Sequence, residues 1–387
     1  MQRSLNERYM RLANVEAIRA WGETHPNPMV GAIIVEGENI VARGHHARAG
    51  EPHAEVMALH NLGRSPATGA TMYVTLEPCC TTGRTPPCTE VIIQSGIKKV
   101  VVGTKDPNPL HAGKGLEILR AAGIEVSMEE VKGRCADLNL LFNHWITTGQ
   151  PLFAGKIATT IDGRIATRTG ESKWITSAHA RQDVMRWRHL FPAIGVGAGT
   201  VLADNPQLTS RFVRGHDKID WCPVRLIFDR QLRSVTETLP KVYADENRAK
   251  TIVVTSANPA AAKRAILEKQ GVGIWTMPDA NDATWFKALR EKCVAAGLVG
   301  VFIEGGPTLL NTFLAAKELD YLFAYRGAKF LADDGAKPAF SGPPRPSLAS
   351  AYELANVECR DFDSDQLMRG HIVYPEDGVA PARALQK

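Results

Sequence analysis

Residues 50–88 read GEPHAEVMALHNLGRSPATGATMYVTLEPCCTTGRTPPC, and this stretch decides the fold of the first half of the chain. His53-Ala54-Glu55 opens a helix expected over residues 54–62. Residues 72–76 are apolar enough for a strand, which must stop at Pro78-Cys79 because proline lacks the donor a ladder needs. Cys88 follows nine positions after Cys79 and precedes a second helix, over 89–95. Outward from this core, residues 30–35 and 40–42 form two short strands around the turn Gly37-Glu38-Asn39. Met10, Ala13, Ala17, Ile18 and Trp21 recur at helical spacing, and His25-Pro26-Asn27-Pro28 ends that first helix. Residues 100–103 are a buried strand. Strands alternating with helices make residues 1–147 a layered α/β domain.

The chemistry explains the residue types. One imidazole and two thiolates hold zinc with three protein ligands and leave a fourth position for water. Zinc acidifies that water, so a nucleophile exists near neutral pH. A carboxylate that is not a ligand must move the proton to a departing amine, and Glu55 stands two residues from the proposed ligand His53. His-x-Glu followed by Pro-Cys and a further Cys is the order found in zinc nucleobase deaminases, where the cysteines are spaced Cys-x-x-Cys. Here Cys80 through Pro87 separate them. Glycine and two prolines shape that insert, and Arg84 adds a cation suited to a phosphate. The competing possibility is a structural zinc site closed by a fourth protein ligand, for which Cys80 is the candidate.

Composition narrows the setting. The chain has 387 residues, 44% hydrophobic and 22% charged, as in ordinary globular proteins of two or three domains. Lys plus Arg is 46 against 41 Asp plus Glu, a net charge of +5 without a basic run. Nucleic acid is not expected as a partner, because its binders carry dense basic patches interleaved with aromatics, and aromatics are only 7% here. No stretch reaches the roughly 18 uncharged apolar residues of a membrane helix. The charged N-terminus does not resemble a secretory signal. Seven cysteines, an odd number, fit a reducing cytoplasm and a metal role before disulfides.

Thr147-Thr148-Gly149-Gln150-Pro151 is the expected linker, and a second alternating pattern follows it over 151–375. Strands are expected over residues 152–157, 193–196, 224–228, 251–255, 301–303, 322–325 and 371–374. Helices are expected over 178–187, 259–269, 285–296 and 307–316. Residues 341–346 form a loop, and 376–387 a tail. Gly195-Val196-Gly197-Ala198-Gly199-Thr200 is not a dinucleotide fingerprint, since Thr200 replaces its last glycine and Pro206 forbids a long helix. Its glycines still allow backbone to approach a ligand, unless they merely form a turn between strands. Glu304-Gly305-Gly306-Pro307 follows a buried strand and opens a helix, where free amides favour phosphate.

Asn27-Pro28-Met29-Val30-Gly31, Gly50 to Glu55, Thr75 to Cys79, Gly83 to Cys88 and Asp106-Pro107-Asn108-Pro109 together resemble the bifunctional deaminase–reductases of riboflavin biosynthesis. In that family the long cysteine spacing is normal. The resemblance continues through Lys156, Asp162-Gly163-Arg164, Gly170 to Thr176, Gly199-Thr200-Val201, Ala203 to Arg211 and Glu304-Gly305-Gly306. It implies a cytidine-deaminase-like three-layer domain followed by a dihydrofolate-reductase-like domain. The implied activity removes an amino group from a diaminopyrimidinone bearing a ribosylamino 5′-phosphate, then reduces the ribose to ribityl with NADPH. It implies zinc on His53, Cys79 and Cys88, proton transfer by Glu55, the pyrimidine on Asn27, and Arg84 near the phosphate. In the second half it implies substrate contacts from Ser172, Arg188, Leu208, Arg211 and Glu304. Ala158, Trp174, Thr176, Thr200, Asp204 and residues 306–312, beginning with Gly306, are implied for NADPH. Lys156 and Asp204 are candidates for proton handling at the opening sugar. A cytoplasmic homo-oligomer with a small phosphorylated substrate is expected.

The chain departs from the family at two places near the first site. Cys80-Thr81-Thr82 replaces a usual Ser-His-aromatic run, and Met57 stands where histidine is common. The Cys80-Thr81-Thr82 departure motivates an alternative in which the same two folds act on another pyrimidine or a pterin-like substrate.

Overall fold

The computed structural model describes residues 2–81, 86–109, 111–129, 131, 134–214, 217–279 and 281–375. The chain divides into two compact units, Met1–Gln150 and Pro151–Lys387.

The first unit is built on five strands: β1 (Gly31–Glu36), β2 (Asn39–His45), β3 (Thr71–Val74), β4 (Lys99–Val102) and β5 (Glu125–Met128), in the order β2-β1-β3-β4-β5. β1 is antiparallel to both its neighbours, and β3, β4 and β5 are mutually parallel. Its helices are α1 (Gln2–Ile18), α2 (Ala54–Leu62), α3 (Cys88–Ser95), α4 (Lys114–Ala121), α5 (Arg134–Leu138) and α6 (Leu140–Thr148). Period-two alternation sorts the strand residues into two cores. Ala32, Ile34, Met72, Val74, Val100 and Val102 face α2, α3 and α4 through Ala54, Ala58, Ile92, Leu116 and Leu119. Ile33, Val35, Tyr73 and Val101 face the other way, onto Tyr9, Met10 and Ala13 of α1 and Cys135 of α5. A sheet covered on both faces is why these strands read as unbroken apolar runs.

The second unit holds β6 (Leu152–Thr159), β7 (Arg164–Ala166), β8 (Ala193–Gly197), β9 (Ser210–Arg214), β10 (Asp217–Trp221), β11 (Val224–Phe228), β12 (Thr251–Thr255), β13 (Gly273–Thr276), β14 (Gly300–Ile303), β15 (Tyr321–Arg326), β16 (Lys337–Pro338), β17 (Glu353–Phe362) and β18 (Asp365–Val373). Nine of them form one sheet, ordered β13-β12-β11-β8-β14-β6-β15-β18-β17. Its first seven strands run parallel, and the β17–β18 hairpin closes the other edge antiparallel. The helices are α7 (Ala178–Leu190), α8 (Ala198–Asp204), α9 (Lys241–Ala244), α10 (Ala261–Lys269), α11 (Asp282–Ala295) and α12 (Pro307–Ala315). One core packs Phe153, Trp285, Phe286, Val301 and Phe313; another packs Ile194, Val196, Ile227 and Tyr243.

Several expectations need correction in detail. The expected strand over 371–374 is the end of the nine-residue β18, and its partner β17 was not anticipated. The β9–β10 hairpin, β5, β13 and α4 were also missed. The first helix ends at Ile18, before the His25-Pro26 stop. The segment 195–200 is not a turn between strands: β8 passes directly into α8, which stops after seven residues with Asn205 in the left-handed region. The tail 376–387 lies outside the described residues.

Candidate active sites

In the first unit the backbone delivers three donors to one point. His53 is the N-cap residue of α2, extended at φ −73° and ψ 164°. Cys79 lies in the segment after β3, and Cys88 is the first residue of α3. The helix start lies tight against the sheet because β2 carries a glycine beneath it. A Cβ on Gly44 would sit 2.3 Å from the Ala58 nitrogen and 2.4 Å from the Ala54 carbonyl oxygen. Glu77 steadies the strand end. Its buried carboxylate accepts from the backbone N–H of Asp106 (3.2 Å), Gly113 (2.9 Å) and Gly115 (2.8 Å).

His53 Nδ1 lies 3.5 Å from Cys79 Sγ and 3.3 Å from Cys88 Sγ, and the three donor atoms all fall within 4.8 Å of one another. Bonds of about 2.0 Å to nitrogen and 2.3 Å to sulfur give tetrahedral N···S edges of about 3.5 Å. The donor set therefore fits zinc in both chemistry and spacing. Cys80 is not in this group; its sulfur turns to His111 Nδ1 at 3.9 Å. Among the described residues the cluster thus offers three ligands, the number that leaves a position for water.

Protein groups alone already polarise the cluster. Hydrogen bonding to Cys88 draws the Cys79 thiol well below its usual range, and the Cys88 backbone N–H donates to the same sulfur at 3.3 Å. That thiolate, with burial, pushes the Cys88 thiol up. Glu55, in the first turn of α2 and only 3% exposed, is pushed up to about 7, first by burial and then by the Cys79 thiolate. A carboxyl near neutrality is suited to taking and returning a proton.

Sequence reasoning singled out Asn27 but missed its partner His46. Burial pushes His46 down, which favours the neutral ring. Nδ1–H then donates to the Pro52 carbonyl at 3.2 Å, and Nε2 accepts from Asn27 Nδ2 at 3.1 Å. The His46 ring also meets the His53 ring edge-on, with centroids 5.2 Å apart. This chain of contacts ties Asn27 to the metal cluster. No local spacing could have signalled it, because the partners are 19 residues apart. Arg84 lies outside the described residues.

In the second unit Lys156 (β6), Arg188 (α7) and Glu304 (just after β14) converge. Arg188 grips Glu304 with both edges: Nε donates to Oε1, and Nη2 donates to Oε2 at 3.0 Å. Lys156 Nζ lies 3.8 Å from Glu304 Oε2. Burial works to raise the Glu304 carboxyl, but Arg188 and then Lys156 outweigh it and hold it below its usual range. Burial pushes the Lys156 ammonium down against the pull of Glu304, with Arg188 adding to the fall. A lysine weakened in this way is a better proton donor.

The remaining candidates are spread around this centre. Asp204 pairs with Lys173 at 3.2 Å, whereas Lys156 pairs with Glu304, so the two proton-handling candidates have different partners. Leu208 is buried at φ +58°, and Arg211 is exposed on β9. Ser172 and Trp174 are exposed; Arg181 covers the Trp174 ring at 4.3 Å and donates to the Thr176 carbonyl at 2.5 Å. Ala158 lies in β6 opposite Tyr325. Gly306 is the N-cap of α12, with Pro307 in the first turn. A Cβ there would meet Thr200 Oγ1 only at 4.0 Å, leaving an open cradle between two helix starts. This fits a phosphate-bearing dinucleotide.

Family models match both halves of the chain. The family model for the cytidine and deoxycytidylate deaminase zinc-binding region matches residues 3–104, and that for the RibD C-terminal domain matches 153–368. The riboflavin biosynthesis protein RibD of Bacillus amyloliquefaciens is 42% identical over 374 residues, covering 97% of each chain. Acinetobacter baumannii RibD (form 1) superposes with a TM-score of 0.77 at 35% identity, covering 96% of this chain and 99% of that one. The Thermotoga maritima diaminohydroxyphosphoribosylaminopyrimidine deaminase/5-amino-6-(5-phosphoribosylamino)uracil reductase does so with 0.75 at 34% identity and the same coverage. Among the described residues no helix is long and apolar enough to cross a membrane. The chain belongs to the RibD family, the bifunctional enzymes of riboflavin biosynthesis that join a zinc-dependent deaminase to an NADPH-dependent reductase.

Proposed function

We propose that residues 1–147 carry out the deamination and residues 151–375 the reduction, with the following division of labour. His53 Nδ1 and the sulfurs of Cys79 and Cys88 hold zinc, which supplies, when bound, the Lewis acidity that makes water a nucleophile at neutral pH. Glu55 accepts the proton of the attacking water and passes it to the amino group as the C–N bond breaks and ammonia leaves. Asn27, its Nδ2 spent on His46, offers Oδ1 to the pyrimidine, and Arg84 takes the phosphate. The spacing of the three donor atoms beside a buried Glu55 is the observation that carries this assignment.

In the reductase, NADPH supplies the hydride that converts the opened ribose to ribityl. Ala158, Trp174, Thr176, Thr200, Asp204 and Gly306 hold the dinucleotide. Ser172, Arg188, Leu208, Arg211 and Glu304 hold the substrate, with Lys156 placed to protonate the sugar oxygen and Asp204 a second proton-handling group. The enzyme works as a cytoplasmic homo-oligomer, a state that light scattering on the purified protein tests.

Metal analysis tests the zinc assignment. Wild-type protein is expected to carry one zinc per chain, and Cys88→Ala to lose both the metal and ammonia release. A Cys88→Ala variant with full zinc and full deaminase activity would overturn the ligand set.

A further inference from the structure

We propose that Arg225, buried in β11 and not itself a substrate-site candidate, is a positioning residue that sets the loop between α8 and β9 for the reductase substrate. The proposal deepens the preceding assignment and rests on it, because that loop carries Leu208 and leads into Arg211. Arg225 has no exposed surface, yet all five of its N–H donors are used. Nε donates to Thr251 Oγ1 at 2.9 Å. Nη1 donates to Asp245 Oδ2 at 2.7 Å and to the Gln207 carbonyl at 2.9 Å. Nη2 donates to Asp245 Oδ1 at 2.8 Å and to the Val242 carbonyl at 3.0 Å.

A buried ion pair is weak evidence for stability, since apolar residues of similar volume often replace it without loss. Its geometry is more telling. Four of the five bonds stay within β12 and the α9 region, and the fifth reaches out to Gln207, which lies in no regular element. Gln207 directly precedes Leu208, whose φ of +58° is a backbone state that leucine rarely adopts. Such a residue persists only where its surroundings over-determine it.

The loop is tied at neighbouring points as well. Asn205 Oδ1 accepts from the Lys241 N–H at 2.8 Å, the Thr209 carbonyl accepts from Arg188 Nη1 at 3.1 Å, and Ser210 Oγ donates to the Met185 carbonyl at 2.9 Å. Arg188 therefore holds the loop from the side of Glu304, and Arg225 holds it from behind. Only a planar fork can serve Asp245, Val242 and Gln207 together. Lysine would keep the charge opposite Asp245 and lose the fork.

The test uses the full-length enzyme with Arg225→Lys, Arg225→Met and, as a probe of the underlying assignment, Arg211→Ala. Ammonia release by the same molecules serves as an internal control, because Arg225 lies in the other compact unit from the zinc cluster. The expected result is a KM for the deaminated pyrimidine substrate raised about tenfold in both Arg225 variants, with the KM for NADPH and ammonia release within twofold of wild type. Two outcomes would overturn the proposal while leaving the substrate assignment intact, given a raised KM in Arg211→Ala. One is an unchanged substrate KM in a folded Arg225→Lys enzyme. The other is a fall in kcat that merely follows melting temperature, with both KM values unmoved. If Arg211→Ala also leaves the substrate KM unchanged, the assignment of the loop to substrate fails and the proposal falls with it.

Discussion

Glu55 is held in the first turn of α2, two residues beyond His53 and buried beside both thiols. Its proposed work is proton transfer, so Glu55→Gln removes chemistry and leaves the ligands in place. We expect kcat for ammonia release to fall by about 10²–10⁴-fold with zinc content unchanged, as steady-state rates and metal analysis would show. At the second site the sign of a pH shift can be worked out. Glu304 supports the protonated form of Lys156 against burial. Glu304→Gln removes that support and lowers the lysine pKa further. If Lys156 donates a proton, the alkaline limb of the reductase pH–rate profile moves to lower pH in that variant. An alkaline limb at wild-type position would show that another group is the donor. These residues differ in how visible they are from sequence. His53, Glu55, Pro78 and Cys79 were legible because a helix start and a strand end present them in a local order. Arg188 and Glu304 meet across 116 positions, so no local spacing pairs them; the helix start after β14 marked the Glu304 segment, but a substrate role for either residue came only from the resemblance to a known family.

At the scale of elements, α2 is positioned as much by an absent side chain as by contacts. Gly44→Ala places a methyl group against backbone atoms of α2 that have no flexible end to move. It is expected to destabilise the protein by about 1–3 kcal/mol in denaturant unfolding and to weaken zinc binding, because His53 caps the displaced helix. A variant with unaltered stability would mean that α2 slides without cost. The strands show why some elements escaped sequence analysis. β1, β3 and β4 are buried on both faces and announced themselves as apolar runs. β17, at the edge of the nine-stranded sheet, is exposed along most of its length and shows no clean alternation. β5, at the edge of the other sheet, is only four residues long and has no fully buried side chain. An edge strand is specified by its partner's backbone, and the pairing partner is not written in its own side chains.

At the scale of the whole molecule, the chain holds two compact units with separate chemical equipment, and their division at Gln150/Pro151 falls within the segment that composition marks as a linker. Zinc removal should therefore act on one activity. Treatment with a chelator is expected to abolish ammonia release while NADPH consumption on already deaminated substrate keeps more than half its rate, measured on the same sample. The most direct test of the account joins both steps. Zinc-loaded wild type and Glu55→Gln are each given the phosphorylated diaminopyrimidinone, and ammonia and NADPH are followed together. Wild type should release ammonia and then consume NADPH. Glu55→Gln should do neither, yet should consume NADPH normally once supplied with the deaminated compound. Ammonia release by Glu55→Gln at the wild-type rate would contradict the assignment of the deaminase chemistry to the His53, Cys79 and Cys88 cluster with Glu55 as its proton carrier.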